Sequence, residues 1–343
     1  MKKILPVILA FCLLLCSCAG GTEETTSAEN TTAQSGDAQP VIYRNPLNGE
    51  IIDAPYSGRV FSVSINNVSP ALPHRGVGDA DVFFEMYIND YCTRGLALYS
   101  DVRKVPAIGS IRSTRYNFTD ISKAYNSVMI YSGGSGAVLT DMNAVGIDNI
   151  IADIPIGYRD SDRSAAGYAT EHTLFATGQS LYDAAVEKGF NMNITGKDYG
   201  MRFQEEGTPV NGNAANEIDI SFTLDGNTKK TVMKYDAERD EYIYNQYGKE
   251  MIDENTGEKE GFKNVIVLHM PMLDDPVYHV ADVFKKCSGY YACGGKIIPI
   301  MAIMKTPDDA FLFTYEDGSY LYMEPGSTYI AIAPIGSAVV CGQ

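Results

Sequence analysis

The hydrophobic pattern divides the chain into four stretches. Apolar residues run from Ile4 to Leu15, broken only by Pro6. From Ala19 to about Pro40 the chain is Thr, Ser, Glu, Ala, Gly and Gln with almost nothing apolar. Between about Tyr56 and Met192, strand-like runs alternate with helical ones. Arg59–Asn66, Asp81–Ile88, Gly95–Ser100 and Ser127–Tyr131 read as strands, and Thr114–Asn126 and Ser135–Val145 as helices. Thr177–Lys188 carries the full helix signature: a Thr N-cap, Leu181, Ala184 and Ala185 in period, and Gly189 just past its end. Such alternation predicts an α/β layer structure for residues 41–211.

After about Gly212 the period becomes two. Ile218, Ile220, Phe222 and Leu224 alternate with polar neighbours. Lys229–Tyr235 and Glu241–Tyr247 flank a hairpin loop at Asp236–Asp240. Val265–Met270, Lys296–Met304, Ala310–Tyr315 and Thr328–Ala333 continue the series, with turns at Asp317-Gly318 and Pro325-Gly326. Residues 212–343 therefore read as a β-rich sandwich or half-barrel. The expected class is α+β or α/β: an N-terminal α/β sheet domain followed by a β-rich C-terminal domain.

Lys2 and Lys3 precede the first apolar run. Its length suits a signal-peptide core and is too short to span a bilayer of about 30 Å. Leu15-Cys16-Ser17-Cys18 then resembles a lipobox, which implies removal of residues 1–17 and diacylation of the Cys18 thiol. An ordinary signal peptide cut near Ala19 is the competing reading. Two acyl chains hold a protein on a membrane because each buried methylene contributes roughly 0.8 kcal/mol. Residues 18–40 bury too little to offset chain entropy and read as a disordered tether. The expected place is the outer face of the cytoplasmic membrane, with the lipid bilayer as first partner.

Charge narrows the partners further. Without residues 1–17 the chain carries 25 Lys and Arg against 43 Asp and Glu, a net −18 (27 − 2 = 25; 25 − 43 = −18). That argues against nucleic acid and against docking onto anionic lipid. No cofactor motif is present. His74, His172, His269 and His279 show no metal-ligand spacing, so no metal is expected. Cys92, Cys287, Cys293 and Cys341 remain in the folded part. Cys287 and Cys293 flank Ser-Gly-Tyr-Tyr-Ala, where a hairpin would allow a disulfide. Four free thiols are the alternative.

Several phrases together resemble the YerB-like bacterial lipoproteins, a family defined by a domain of unknown function in N- and C-terminal parts. They include Asn45-Pro46-Leu47-Asn48-Gly49, Ile65-Asn66-Asn67, Ala80-Asp81-Val82-Phe83-Phe84-Glu85 and Thr93-Arg94-Gly95-Leu96-Ala97. Ile108-Gly109-Ser110-Ile111-Arg112-Ser113-Thr114-Arg115, Gly133-Gly134-Ser135, Arg159-Asp160-Ser161-Asp162-Arg163 and Lys263-Asn264-Val265-Ile266-Val267 follow in order. The resemblance spans roughly residues 44–335 and implies a two-part exported lipoprotein. This chain departs at Leu72 and His74, where such proteins tend to carry Arg and Gln. If those positions touch a ligand, this member takes a different one.

The arginines carry the functional reading. Arg112 and Arg115 flank Ser113 at a predicted helix start, where unpaired N–H groups and the dipole favour an anion. Gly133-Gly134-Ser135 forms a second strand–turn–helix junction able to cradle one. In α/β sheets both turns open at the carboxyl ends of strands, and Arg159 and Arg163 are cations that would close over the crevice. The expected ligand is an anionic envelope polymer, peptidoglycan or wall polymer, since planar guanidiniums suit carboxylate and phosphate. A structural ion network with Asp81, Glu85, Asp160 and Asp162 is the competing account.

An envelope glycan- or ester-cleaving hydrolase is the second reading. Ser135 in a near-miss nucleophile elbow is followed by Asp160 and His172, and Glu85 with Asp160 would make a carboxylate pair. A module presenting an edge strand to an envelope protein is the third.

Overall fold

Near-continuous apolar runs such as Val82–Met86 and Val265–Leu268 are broader than a half-exposed strand needs. They belong to strands covered on both faces. The computed structural model describes residues 41–89, 91–204, 211–273 and 279–342. The expected signal peptide (1–17), the expected lipid attachment at Cys18 and the expected tether (18–40) fall outside the described residues.

The principal elements of the first half are Phe61–Asn66 (β1), Val82–Asn89 (β2), Cys92–Tyr99 (β3), Tyr116–Ala124 (α1), Val128–Tyr131 (β4), Gly136–Ala144 (α2), Asn149–Ile151 (β5) and Gly178–Glu187 (α3). Those of the second half are Glu217–Leu224 (β6), Asn227–Asp236 (β7), Glu241–Gln246 (β8), Asn264–Met270 (β9), Cys287–Cys293 (β10), Lys296–Ile303 (β11), Thr328–Pro334 (β12) and Val339–Gly342 (β13). β-structure dominates. The large sheet runs β11-β10-β9-β12-β2-β3-β1-β4-β5, and a second sheet runs β8-β7-β6-β13.

Strands from both stretches share the large sheet. β12 lies parallel to β2, with Thr328 opposite Val82 and Ile332 opposite Met86, and parallel to β9 on its other side. Residues 42–343 form one compact unit.

Alternation along the strands sorts side chains into two cores. Phe61, Val63, Phe83, Ala97, Tyr329 and Val265 face the second sheet and α3, meeting Phe222, Tyr242, Tyr244 and Leu181. Val82, Phe84, Leu96, Leu98, Ile266 and Ile330 face the other way, onto Phe118, Ile121 and Tyr125 of α1 and its end. At roughly 1.5–3 kcal/mol for each fully buried large side chain, these two layers are the main source of stability. Among the described residues no helix is long and apolar enough to cross a membrane.

One expected feature is corrected. Cys287 and Cys293 are not joined by a disulfide: they stand at opposite ends of the single strand β10. At about 3.3 Å per residue their Cα atoms stand near 20 Å apart, well beyond disulfide reach. Pairing of β10 with β9 and β11 on its two sides keeps it extended, with no hairpin inside it.

Candidate functional site

The parallel strands β1 and β4 end at one edge of the large sheet, and the chain crosses that edge twice. The segment 110–115 runs past the end of β1, where the Arg112 amide donates to the Ser64 carbonyl at 2.9 Å. The turn after β4 lies against it: the Ser132 amide donates to Arg112 O and the Thr114 amide to Gly133 O, both at 3.0 Å. Gly133 adopts φ +79°, and a Cβ there would meet Ser113 Oγ at 3.3 Å, so glycine lets the two loops close. Each loop then enters a helix. Arg115 is the N-cap of α1, and Ser135 caps α2 by accepting from the Val138 amide at 3.3 Å.

A cavity of about 350 Å³ opens at this junction. Ser113, Arg115, Gly134 and Ser135 line it beside Tyr116, Asn117 and Phe118 of α1. Met86, Tyr87, Ile88 and Asn89 at the end of β2, with His279 and Val280, form the opposite wall. The first turns of two helices, each with a positive dipole end, thus meet one hollow. Its size lies at the lower end of the range of small-molecule sites, about 300–1,000 Å³.

Arg94, which is not among the residues expected to bind a ligand, does not line the cavity but is tied to its wall at Ser113. Arg94 on β3 is opposite Met86 and only 5 % exposed. One guanidinium nitrogen donates to the Ser113 carbonyl at 3.0 Å, while its Nε has no hydrogen-bond partner. No carboxylate pairs with it among the described residues. Burial, with the charges of Arg115 and Arg112, pushes Arg94 well below its ordinary value. Arginine does not give up its proton in proteins, so burial beside two cations leaves a charge that a nearby anion would stabilise. Among the described residues the Arg112 side chain makes one long ion-pair contact, with Glu171 at 3.9 Å, and its Nε is also buried without a partner. The signal for Arg94 was present in the sequence: an arginine in a strand, in phase with the apolar Leu96 and Leu98.

The remaining expected ligands are elsewhere. Arg159 is exposed and donates to the Thr170 carbonyl at 2.6 Å, without lining the cavity. Arg163 is buried: it donates to the Ala71 carbonyl at 3.0 Å, the Pro73 carbonyl at 2.5 Å and Glu254 at 2.8 Å, and stacks on Phe175 at 4.7 Å. It is a structural cross-link, because both terminal nitrogens and one face of its planar head are engaged by the chain, although its Nε has no hydrogen-bond partner.

The candidate catalytic groups are likewise dispersed. Asp160 caps the short helix Ser161–Ala165, accepting from the Arg163 amide, and pairs with Arg75 at 2.6 Å. Both contacts, outweighing burial, hold its carboxyl below the usual range. His172 meets Asn66 at 2.9 Å; burial, with Arg112 and Arg163, pushes it below its ordinary value despite Glu171. It does not line the cavity with Ser135, and the Ser135 hydroxyl is engaged as a cap.

Glu85 is fully buried between the two sheets. Tyr329, Tyr244 and Asn67 donate to it at 2.6, 3.0 and 3.0 Å, and Lys229 and Thr93 complete the cluster. No glycan reaches it. His74, where the resemblance pointed to altered ligand choice, is also fully buried, pairing with Glu260 at 3.0 Å.

Comparison with known proteins agrees with this architecture. The N-terminal domain model of a protein of unknown function (DUF3048) matches residues 47–191, and the corresponding C-terminal domain model matches residues 218–330. YerB of Bacillus subtilis (strain 168), provisionally named a lipoprotein, is 21 % identical over 283 residues, covering 80 % of this chain and 81 % of YerB. The crystal structure of Bacillus subtilis YerB superposes with a TM-score of 0.74 at 20 % identity, across 87 % of this chain and 99 % of that one. That likeness carries the fold. The chain belongs to the DUF3048 family and holds both its N- and C-terminal domains.

Proposed function

We propose that this protein is a lipid-anchored, extracytoplasmic receptor for an anionic group of the cell envelope, bound in the cavity between the starts of α1 and α2. Cys18 carries the acyl chains and the bilayer is the first partner. Residues 18–40 tether an N-terminal α/β layer and a β-rich layer above the outer face of the cytoplasmic membrane. A lipoprotein relative and the lipobox-like Leu15–Cys18 support the anchor.

The observation that carries the ligand reading is Arg94. A buried guanidinium with no carboxylate partner among the described residues, donating to the Ser113 carbonyl at the cavity wall and beside Arg112 and Arg115 in a chain of net charge −16, is stabilised when an anion enters. Carboxylates of peptidoglycan stems and phosphates of wall polymers both offer the bidentate geometry that guanidinium recognises. The apolar side chains of Met86, Ile88 and Phe118 in the cavity wall lower the local dielectric, which strengthens each of those contacts.

The test is retention of the full-length protein, purified in detergent, on cell-wall sacculi. The wild type is expected in the pellet and Arg112→Ala/Arg115→Ala in the supernatant, with no soluble wall fragments released. Equal retention of both forms, or of neither, overturns the reading. Fragments released by the wild type would replace binding with catalysis.

A further inference from the structure

A second groove lies on the other side of the β2–β3 turn. Asn89 lines the arginine cavity, whereas Tyr91 lines a separate hollow of about 500 Å³ with Lys230, Val232 and Lys234 of β7, Gln246 of β8, and Tyr247. Three features of this groove point to a ligand.

The first is the backbone under the tyrosines. Two-residue loops join β6 to β7 and β8 to the strand Lys249–Glu250, with positive φ at both positions of each: +50° and +81° at Asp225-Gly226, +53° and +75° at Tyr247-Gly248. This geometry favours Asn, Asp or Gly first, and Asp225 obeys that preference. Tyr247 does not, and Tyr91 also stands at φ +63°. A bulky side chain held in that region is strained, and such strain persists where the side chain itself is needed.

The second feature is how the rings are presented. Tyr91 and Tyr247 are 58 % and 40 % exposed. The Tyr247 hydroxyl donates inward to the Asn67 carbonyl at 3.0 Å, and the Lys229 ammonium sits 5.7 Å from the ring centre. The ring is therefore fixed before any ligand arrives.

The third is polar chemistry left open. Gln246 is buried, and its Oε1 has no hydrogen-bond partner. Lys229 is occupied by Glu85, but Lys230 has no ion-pair partner among the described residues and Lys234 only an exposed contact with Glu217 at 3.3 Å.

We infer that this groove binds an anionic saccharide segment. Sugar rings stack on Tyr91 and Tyr247, a ring hydroxyl donates to Gln246 Oε1, and acid substituents meet Lys230 and Lys234. The inference stands on the groove alone and does not need the arginine cavity.

Isothermal titration of the full-length protein in detergent tests it with three probes: tetragalacturonate, neutral chitotetraose and tripolyphosphate. Tetragalacturonate is expected to bind at least about tenfold more tightly than either other probe, a difference of about 1.4 kcal/mol. Tyr247→Asn and Lys230→Ala/Lys234→Ala should each weaken it about tenfold. Asn suits the turn, so its loss of binding is not a folding failure. In the Arg112→Ala/Arg115→Ala background, where carboxylate binding by the cavity is removed, tetragalacturonate should still bind and Tyr247→Asn should still weaken it about tenfold, which separates the groove from the cavity. No binding of tetragalacturonate, equal binding of either control probe, or unchanged affinity in Tyr247→Asn overturns the inference.

Discussion

The β2–β3 hairpin carries a buried charge on each face, and the two are treated in opposite ways. On the face toward the second sheet, Glu85 is enclosed by Lys229 and a full set of donors. On the opposite face Arg94, opposite Met86 in the same strand pair, has one carbonyl, two cationic neighbours and, among the described residues, no carboxylate. A buried charge whose partners are all supplied by the chain is architecture, because breaking the set leaves an uncompensated ion. A buried charge beside a cavity, with no carboxylate partner among the described residues, is a demand that a ligand can meet. The difference separates structure from site better than residue type does: Glu85 and Arg163 look functional in sequence and are not free to act.

The largest expected effect comes from breaking the closed set. Lys229→Met leaves Glu85 buried and unpaired and should lower the unfolding free energy by about 3–5 kcal/mol, read by denaturant titration. The joint change Glu85→Leu/Lys229→Met should recover most of that loss, since neither charge remains. An equal or larger loss in the double variant would contradict the pairing.

Acid probes the same set. Burial alone would raise the Glu85 carboxyl, but Lys229 and the donors hold it below its ordinary value. Its contribution is therefore complete above the unfolded value of about 4.3 and is lost as pH falls through the lower folded value. Denaturant midpoints measured down that range should fall more steeply in the wild type than in Glu85→Gln.

Opening the other face further should cost binding and little stability. Arg112→Ala/Arg115→Ala is expected to remove about 3 kcal/mol or more of affinity for sacculi, two charge-assisted contacts at about 1.5–3 kcal/mol each. Thermal unfolding without ligand should barely move. Arg94→Met sharpens the contrast, because it removes a buried charge that has no ion pair. The unliganded protein should be unchanged or up to about 1 kcal/mol more stable, yet bind sacculi less well. A clear destabilisation would mean that Arg94 is as structural as Arg163.

The smallest effect is expected at the tip of β8. Tyr247→Asn relieves a left-handed backbone at a position that prefers asparagine and should raise stability by about 0.5–1 kcal/mol. Unchanged or lower stability would show that the inward hydroxyl contact with Asn67 outweighs the strain.

Local pattern was enough to place most elements. The strands β1, β2, β4, β9 and β12, and the helices α1, α2 and α3, lie within a few residues of where period and caps put them. Helix caps and alternating side chains act over a handful of neighbours, so a linear reading captures them. The junction of Arg112–Arg115 with Gly133–Ser135 was also legible, since loops that follow parallel strands open on one edge. Cys287–Cys293 was misread because Ser-Gly-Tyr-Tyr-Ala suits a turn locally, and only pairing with β9 and β11 on both sides makes it a strand.

Charge partners were beyond local pattern altogether. Lys229 reaches Glu85 across 144 positions, and Arg163 reaches Glu254 across 91. The amino-acid sequence alone determined which residues are charged, which segments extend or coil, and that one edge of the sheet collects glycine and arginine. Only the tertiary structure decided which charges are answered. Burial raises the energy of every unpaired ion, and whether a partner lies within 3 Å depends on how distant strands are brought side by side.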